Sequence, residues 1–324
     1  MEQRPTFLQW LKMTWPDLLT MVILGTIATT VFRAGPPMGS RSFTLTNPNL
    51  AYPLRTQIIP STVAGVLGVC IPMAVMLLAQ IRIQNFWDLN NGILGLVYAV
   101  ICATTFQVMV KWLIGGFRPQ FYEFCQPKIP PGASGAGFGG IMWNANICTV
   151  PKNNALYNAQ QSFPSGHSTI ITTGGVYLFL WLNAKMKVFA NYHAPMWKLV
   201  LLFLPLLGAV LVCGTLTLDH THHWWDILAG AFIGTIFAIS AYRMVYRSVF
   251  DWRTNHIPLN RTSPSSEYSR PDLVLTRQAG WGDPDRDNEK EKLPGPVTST
   301  GAMPGPVGEH NDKTASGSSK AQGA

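Results

Sequence analysis

Six runs of apolar residues, each close to the length that crosses a bilayer, constrain this chain more than any other feature. They fall at about 17–33, 61–80, 92–114, 167–184, 198–218 and 225–244. About 20 apolar residues in a helix cover a hydrocarbon core roughly 30 Å thick. Backbone polar groups find no water there, so runs of this length span as α-helices. A helix buried in a soluble domain would show a polar stripe at helical period. Stretches such as Leu199-Val-Leu-Leu-Phe-Leu-Pro-Leu-Leu show none. Charged residues make up only 12% of the chain, about half the usual share. The predicted fold class is all-α: a polytopic membrane protein with six transmembrane helices and a disordered C-terminal tail. The first run reads as a retained helix, because its n-region is weakly basic and no clean small-residue cleavage site follows.

Basic residues near helix ends mark the cytosolic side. Arg4 and Lys12 precede the first run, and Arg82 lies between the second and third. Lys185, Lys187 and Lys198 lie between the fourth and fifth, and Arg243, Arg247 and Arg253 follow the sixth. Six spans put all of these on one face, read as the cytosol, and leave Arg41, Arg55, Lys128 and Lys152 on the other. Beyond about residue 250 apolar runs give way to Pro, Gly, Ser, Thr and scattered charge. Such a segment cannot bury enough apolar surface to offset its ordering entropy. The predicted organisation is therefore a cytosolic N-terminus (1–16), a six-helix membrane domain (17–249) and a disordered cytosolic tail (250–324). The sequon Asn260-Arg-Thr262 lies in that tail and is expected to stay unglycosylated. The net charge of +8 is spread over juxtamembrane ends and tail. It points to anionic lipid headgroups as partners, not nucleic acid.

Cys70, Cys102 and Cys213 fall in spans and read as packing residues. Cys125 and Cys148 share one long extracytoplasmic loop, where an oxidising compartment permits a disulfide; free thiols are the alternative. No Cys/His spacing resembles a zinc site. Gly135-Ala-Gly-Phe-Gly-Gly140 matches a dinucleotide fingerprint as a string, but lacks the preceding strand and reads as a flexible loop.

Three short segments carry chemistry. Lys111 and Arg118-Pro119 end the third run. If the helix continues, seven residues are nearly two turns, so both cations face one way until Pro119 stops the helix. Pro164-Ser-Gly-His167 precedes the fourth run. Gly166 admits close backbone approach, Ser165 can cap the helix, and a helix start offers free N–H groups to an anion. His222 and Asp226 open the sixth run four residues apart, on one helical face. A carboxylate on one imidazole nitrogen fixes the tautomer and frees the other nitrogen to attack. Each segment alone has an ordinary explanation: cations snorkel, serines cap, and a His/Trp cluster suits the aromatic belt. Together, on one face of a six-span topology, they describe a phosphate site.

These residues resemble the type 2 phosphatidic acid phosphatases, also called lipid phosphate phosphatases, which share their site with vanadium haloperoxidases. The family pattern is Lys-x6-Arg-Pro, Pro-Ser-Gly-His and Ser-Arg-x5-His-x3-Asp. The first two are intact, and the resemblance covers about 20–245. It implies a metal-independent, cofactor-free phosphomonoesterase acting on phosphatidic acid and, as a further substrate, diacylglycerol pyrophosphate. His222 would attack phosphorus, Asp226 would orient it, and His167 would protonate the leaving alkoxide. Lys111, Arg118, Ser165 and Gly166 would bind phosphate oxygens. In the third motif the family's Ser-Arg falls on Thr215-Leu216. Thr215 supplies a hydroxyl, but Leu216 supplies no cation; the site is then slow or uses another cation, for which His220 or His223 could compensate in part. A weak or inactive lipid-phosphate binder is therefore the alternative. The expected setting is an endomembrane or vacuolar membrane, with the site at its extracytoplasmic face. Oligomeric state and acyl preference are not legible.

Overall fold

The computed structural model describes residues 5–33, 37–38 and 41–259. The chain runs α1 (Phe7–Arg33), α2 (Ser61–Ile83), α3 (Phe86–Ile114), α4 (Phe121–Cys125), α5 (Asn154–Ala159), α6 (Gly166–Met186), α7 (Met196–Leu218) and α8 (Trp224–Val245). Among the described residues there is no strand, only isolated bridges such as Gly116 with Gln161. The six long helices form the bundle, while α4 and α5 lie in the long loop between α3 and α6.

Five of the six, α1, α2, α3, α7 and α8, are long and apolar enough to cross a membrane. That makes the chain a multi-pass membrane protein. α6 is long enough but not apolar enough, and its place in the bundle explains why. It packs against α2, α3, α7 and α8, and buries Ser168, Thr169 and Thr173 among its neighbours. A helix ringed by protein needs no apolar face for lipid. Its approach to α2 is so close that a Cβ on Gly174 would lie 1.9 Å from the Gly68 carbonyl oxygen. Small residues at a crossing let backbones meet in this way.

The helices overrun the apolar runs where protein, not lipid, meets their polar residues. The third run begins at residue 92 by hydropathy, yet α3 begins at Phe86. Asn85 caps it by accepting the Asp88 N–H at 2.9 Å. Asp88 then accepts from Lys185 and from the Tyr246 hydroxyl at 3.0 Å, and the Asn91 amide donates to the Val245 and Leu259 carbonyls. These partners gather the ends of α3, α6 and α8 at one end of the bundle. The ordered chain also runs past the expected boundary at 250. Asn255, His256 and Ile257 are buried, and Asn255 accepts from Lys187 at 2.8 Å. Polar anchors of this kind, together with buried Ile257, hold residues 251–259. The rest of the expected tail, with its sequon, lies outside the described residues.

At the opposite end, Phe43, Leu50, Phe121, Cys125, Leu156 and Ala159 form a small separate core over the bundle. Cys125 and Cys148 are disulfide-bonded there, so the structure decides between the two alternatives. Within 135–140, Ala136 bridges Met142 and Phe138–Gly140 form one short 3-10 helix, so the strand-to-helix setting of a dinucleotide site is not there.

Candidate active site

The first segment does not continue as a helix. α3 stops at Gly115, which has φ +61° and donates its N–H to the Lys111 carbonyl; Gly116 follows at φ +133°. Left-handed backbone of this kind is cheap only for glycine. The chain then turns back and pairs: the Gly116 N–H donates to Gln160 O, and Ser162 N–H to Gly116 O, each at 2.9 Å. Arg118 therefore reaches the site from a loop, not from two turns along a helix.

Lys111 and Arg118 are both only 7% exposed. Lys111 Nζ donates to the Gln161 carbonyl at 2.7 Å. Arg118 donates from Nε to the Asn158 carbonyl and from Nη2 to the Asn158 side-chain oxygen. Burial, the largest cause, brings the guanidinium down to about 10. Among the described residues neither cation has a carboxylate within ion-pair distance. Buried charge is costly unless it is paired, and two such cations side by side fit an anionic ligand.

The second segment docks on the third through backbone. Ser165 N–H donates to the Asp226 carbonyl at 3.0 Å, and the Ser165 hydroxyl caps α6 by accepting the Ser168 N–H at 3.4 Å. Gln107 of α3 secures the turn by donating to Pro164 O at 2.8 Å. Gly166 opens α6 behind this cap. His167, 8% exposed, places a buried Nε2 with no hydrogen-bond partner among the described residues.

His222 lies in the turn between α7 and α8, its N–H held by the Leu216 carbonyl at 3.2 Å. Its Nδ1 is 3.5 Å from Asp226 Oδ2 and 3.4 Å from Ser162 Oγ. The same carboxylate oxygen accepts the Ser162 hydroxyl and, at 3.1 Å, the His223 N–H. Burial drives the His222 imidazole down to about 3; the Asp226 hydrogen bond opposes this, and Arg118 and Lys111 reinforce it. A neutral ring with one nitrogen held by carboxylate and hydroxyl leaves Nε2 for attack. The His167 and His222 rings stand edge to face, their centroids 6.4 Å apart and their planes at 67°.

The structure thus brings Lys111, Arg118, Ser165, Gly166, His167, His222 and Asp226 to one end of the bundle. Thr215 is placed differently, since its hydroxyl is turned into α7, donating to the Val212 carbonyl at 2.7 Å. Leu216 is 1% exposed. Neither His220 nor His223 points a free ring at the cations. His220 meets Pro53 O at 3.3 Å, and His223 meets Asn49 O at 3.1 Å while stacking on Trp225. Reasoning from sequence missed Ser162, which shares Asp226 with His222, and Asn158, which orients Arg118. It also missed Asp219 and the segment 49–59. Single polar residues in loops carry no pattern that would mark them.

Comparison with known proteins shows what the chain is similar to. The model of the PAP2 superfamily matches residues 92–250. A PA-phosphatase related-family protein of Dictyostelium discoideum is 30% identical over 75% of this chain and 73% of its own. Lipid phosphate phosphatase 1 of Arabidopsis thaliana is 33% identical over 61% of this chain and 58% of its own. Diacylglycerol pyrophosphate phosphatase 1 of Saccharomyces cerevisiae is 27% identical over 65% and 73%. No solved structure matches. The chain belongs to the PAP2 superfamily, the type 2 phosphatidic acid phosphatases that its motifs resemble, and by that membership is a phosphoric monoester hydrolase.

Proposed function

We propose that this chain is a six-span lipid phosphate phosphatase that works through a phosphohistidine at the extracytoplasmic face of an internal membrane. One observation carries the reading: two buried cations without carboxylate partners stand beside a neutral imidazole held by Asp226. The Cys125–Cys148 disulfide, at the same end of the bundle, supports an oxidising compartment on that side. Exposed Trp224 and Trp225 beside the site suit a substrate whose headgroup sits at the membrane interface. The relatives' names supply the substrate class: lipid phosphates, including diacylglycerol pyrophosphate.

The phosphate of a lipid phosphate binds between the two rings, its non-bridging oxygens on Lys111, Arg118 and the start of α6. His222 Nε2 attacks phosphorus. The N–P bond forms as the P–O bond to the alkoxide breaks, and His167 gives that alkoxide a proton. Asp226 and Ser162 steady the positive imidazole. Water then attacks the phosphohistidine, His167 takes its proton, and inorganic phosphate leaves with His222 restored. A loose phosphoryl-transfer transition state needs charge around its equatorial oxygens more than further covalent machinery.

Leu216 motivates a second reading, a protein that binds lipid phosphate but turns it over weakly. The side chain is apolar and buried where the family pattern has arginine. Phosphate release from phosphatidic acid in detergent, with a chelator present and His222→Ala alongside, separates the two. Release that the substitution abolishes supports the enzyme. Binding without release from either protein supports the binder.

A further inference from the structure

Residues 49–59 form a strap that joins the first and third segments. Tyr52 N–H donates to the Pro119 carbonyl at 3.1 Å, and Arg55 donates to the Leu218 carbonyl at 3.0 Å. The Tyr52 ring lies 4.8 Å from that of His220. Where the strap reaches α2, its last residues pass between two ionisable groups. Ile58 N–H donates to Asp219 Oδ2 at 3.4 Å, and the Ile59 carbonyl lies against the His167 ring. Asp219 itself is 1% exposed. Its other oxygen accepts the Thr221 N–H at 3.0 Å, one residue before His222. A carboxylate this deep is costly unless its surroundings use it, and the mechanism above gives it no task.

We propose that Asp219 is a positioning residue for the general acid: by clasping the Ile58–Ile59 segment to the turn before His222, it holds the His167 ring with Nε2 facing the leaving oxygen. The proposal rests on the phosphohistidine reading, because only there does His167 protonate an alkoxide. The charged and titratable groups around the His167 ring are Lys111 and Arg118 on the phosphate side, His222 across the site, and Asp219 behind the strap. Without the clasp the Ile59 carbonyl is free to drift and the imidazole with it. Binding of phosphate, which depends on Lys111 and Arg118, stays intact.

The test exploits leaving groups. Phosphatidic acid releases a poor, strongly basic alkoxide that needs the proton. Nitrophenyl phosphate releases a weakly basic phenolate that hardly does. Asp219→Ala is expected to lower the single-turnover rate of phosphohistidine formation from phosphatidic acid, read by rapid quench, about 10²-fold, the low end of general-acid effects, with the half-saturating concentration moved less than about threefold. On nitrophenyl phosphate the same first-step rate should fall by no more than about threefold; steady-state kcat is not compared, because it also contains the hydrolysis step in which His167 takes the proton of water. His167→Ala should show the same selectivity, and the double variant should be no worse than His167→Ala alone. Should Asp219→Ala not fold, Asp219→Asn, which keeps the shape and one acceptor, should show the same selectivity at about 10-fold. Equal losses on both substrates, no loss, or losses that multiply in the double variant would overturn the proposal. His222→Ala, run in parallel, separates this from a failure of the phosphatase reading: full turnover by that variant sinks the reading itself.

Discussion

Gly230→Ala offers a test of how α8 places the nucleophile against α6. Gly230 lies one turn beyond Asp226, where α8 crosses the start of α6. A Cβ there would sit 2.4 Å from the Ser165 carbonyl oxygen and 3.1 Å from both Ser168 Cβ and Thr169 Oγ1. Ordinary contact begins at 3.4 Å, so about 1 Å must be found. The Ser165 carbonyl cannot supply it cheaply, because it already accepts the Thr169 N–H at 3.1 Å and the Thr169 hydroxyl at 2.9 Å. α8 must back away instead, stretching the bond from Ser165 N–H to the Asp226 carbonyl and carrying His222 away from His167. A misplacement of about 1 Å at a reacting centre costs on the order of 10²-fold in rate. Overpacking should also cost about 1–3 kcal/mol of stability. The assay is phosphate release from phosphatidic acid together with Tm in the same detergent. Gly208→Ala is the control, since nothing lies within 4 Å of the added carbon. A kcat for Gly230→Ala within threefold of wild type, with Tm unshifted, would show that the crossing does not set the site.

Leu216→Arg should raise kcat/KM by at least about 10-fold, since one donor to developing charge is commonly worth 10²–10³ in rate. No gain in a folded protein would mean that Lys111 and Arg118 suffice. Ser162→Ala removes a hydroxyl shared by Asp226 and His222. Charge-assisted hydrogen bonds contribute about 1.5–3 kcal/mol, so kcat should fall about 10- to 100-fold, and an unchanged kcat would deny Ser162 its orienting role. His222 also links stability to pH. Its folded value, about 3, lies below the ordinary 6.5. Below 6.5 the unfolded chain therefore takes a proton that the folded chain refuses. Stability from this group is full above pH 6.5 and falls towards pH 3, by up to about 1.4 kcal/mol per unit. Denaturation of wild type and His222→Gln across that range should show a slope difference of this sign, and parallel curves would refute it.

The membrane fold was legible because lipid imposes a simple rule on composition. The exception is informative. α6, read as a span from its apolar residues, is the least lipid-like of the six because other helices replace lipid around it. Its serines, threonines and glycines register as weak hydropathy. Of the site, the residues set in the three segments were legible as types, since Lys, Arg, His and Asp seldom gather at membrane helix ends without a task. Their geometry was less so. Gly115-Gly116 ended α3 where helical continuation was expected, and Thr215 turned its hydroxyl into its own helix. Ser162, Asn158, Asp219 and Ile59 were invisible, because each acts through one side chain or one backbone group placed by tertiary contacts.

The account stands or falls on a covalent intermediate at His222. Rapid quench of the purified protein with phosphatidic acid labelled in its phosphate, followed by peptide mapping, measures it directly. The account predicts label that is stable in alkali and lost in acid, on the peptide carrying His222, and absent from His222→Ala. Turnover of phosphatidic acid with no such label at any quench time, or label that persists in His222→Ala, would contradict it.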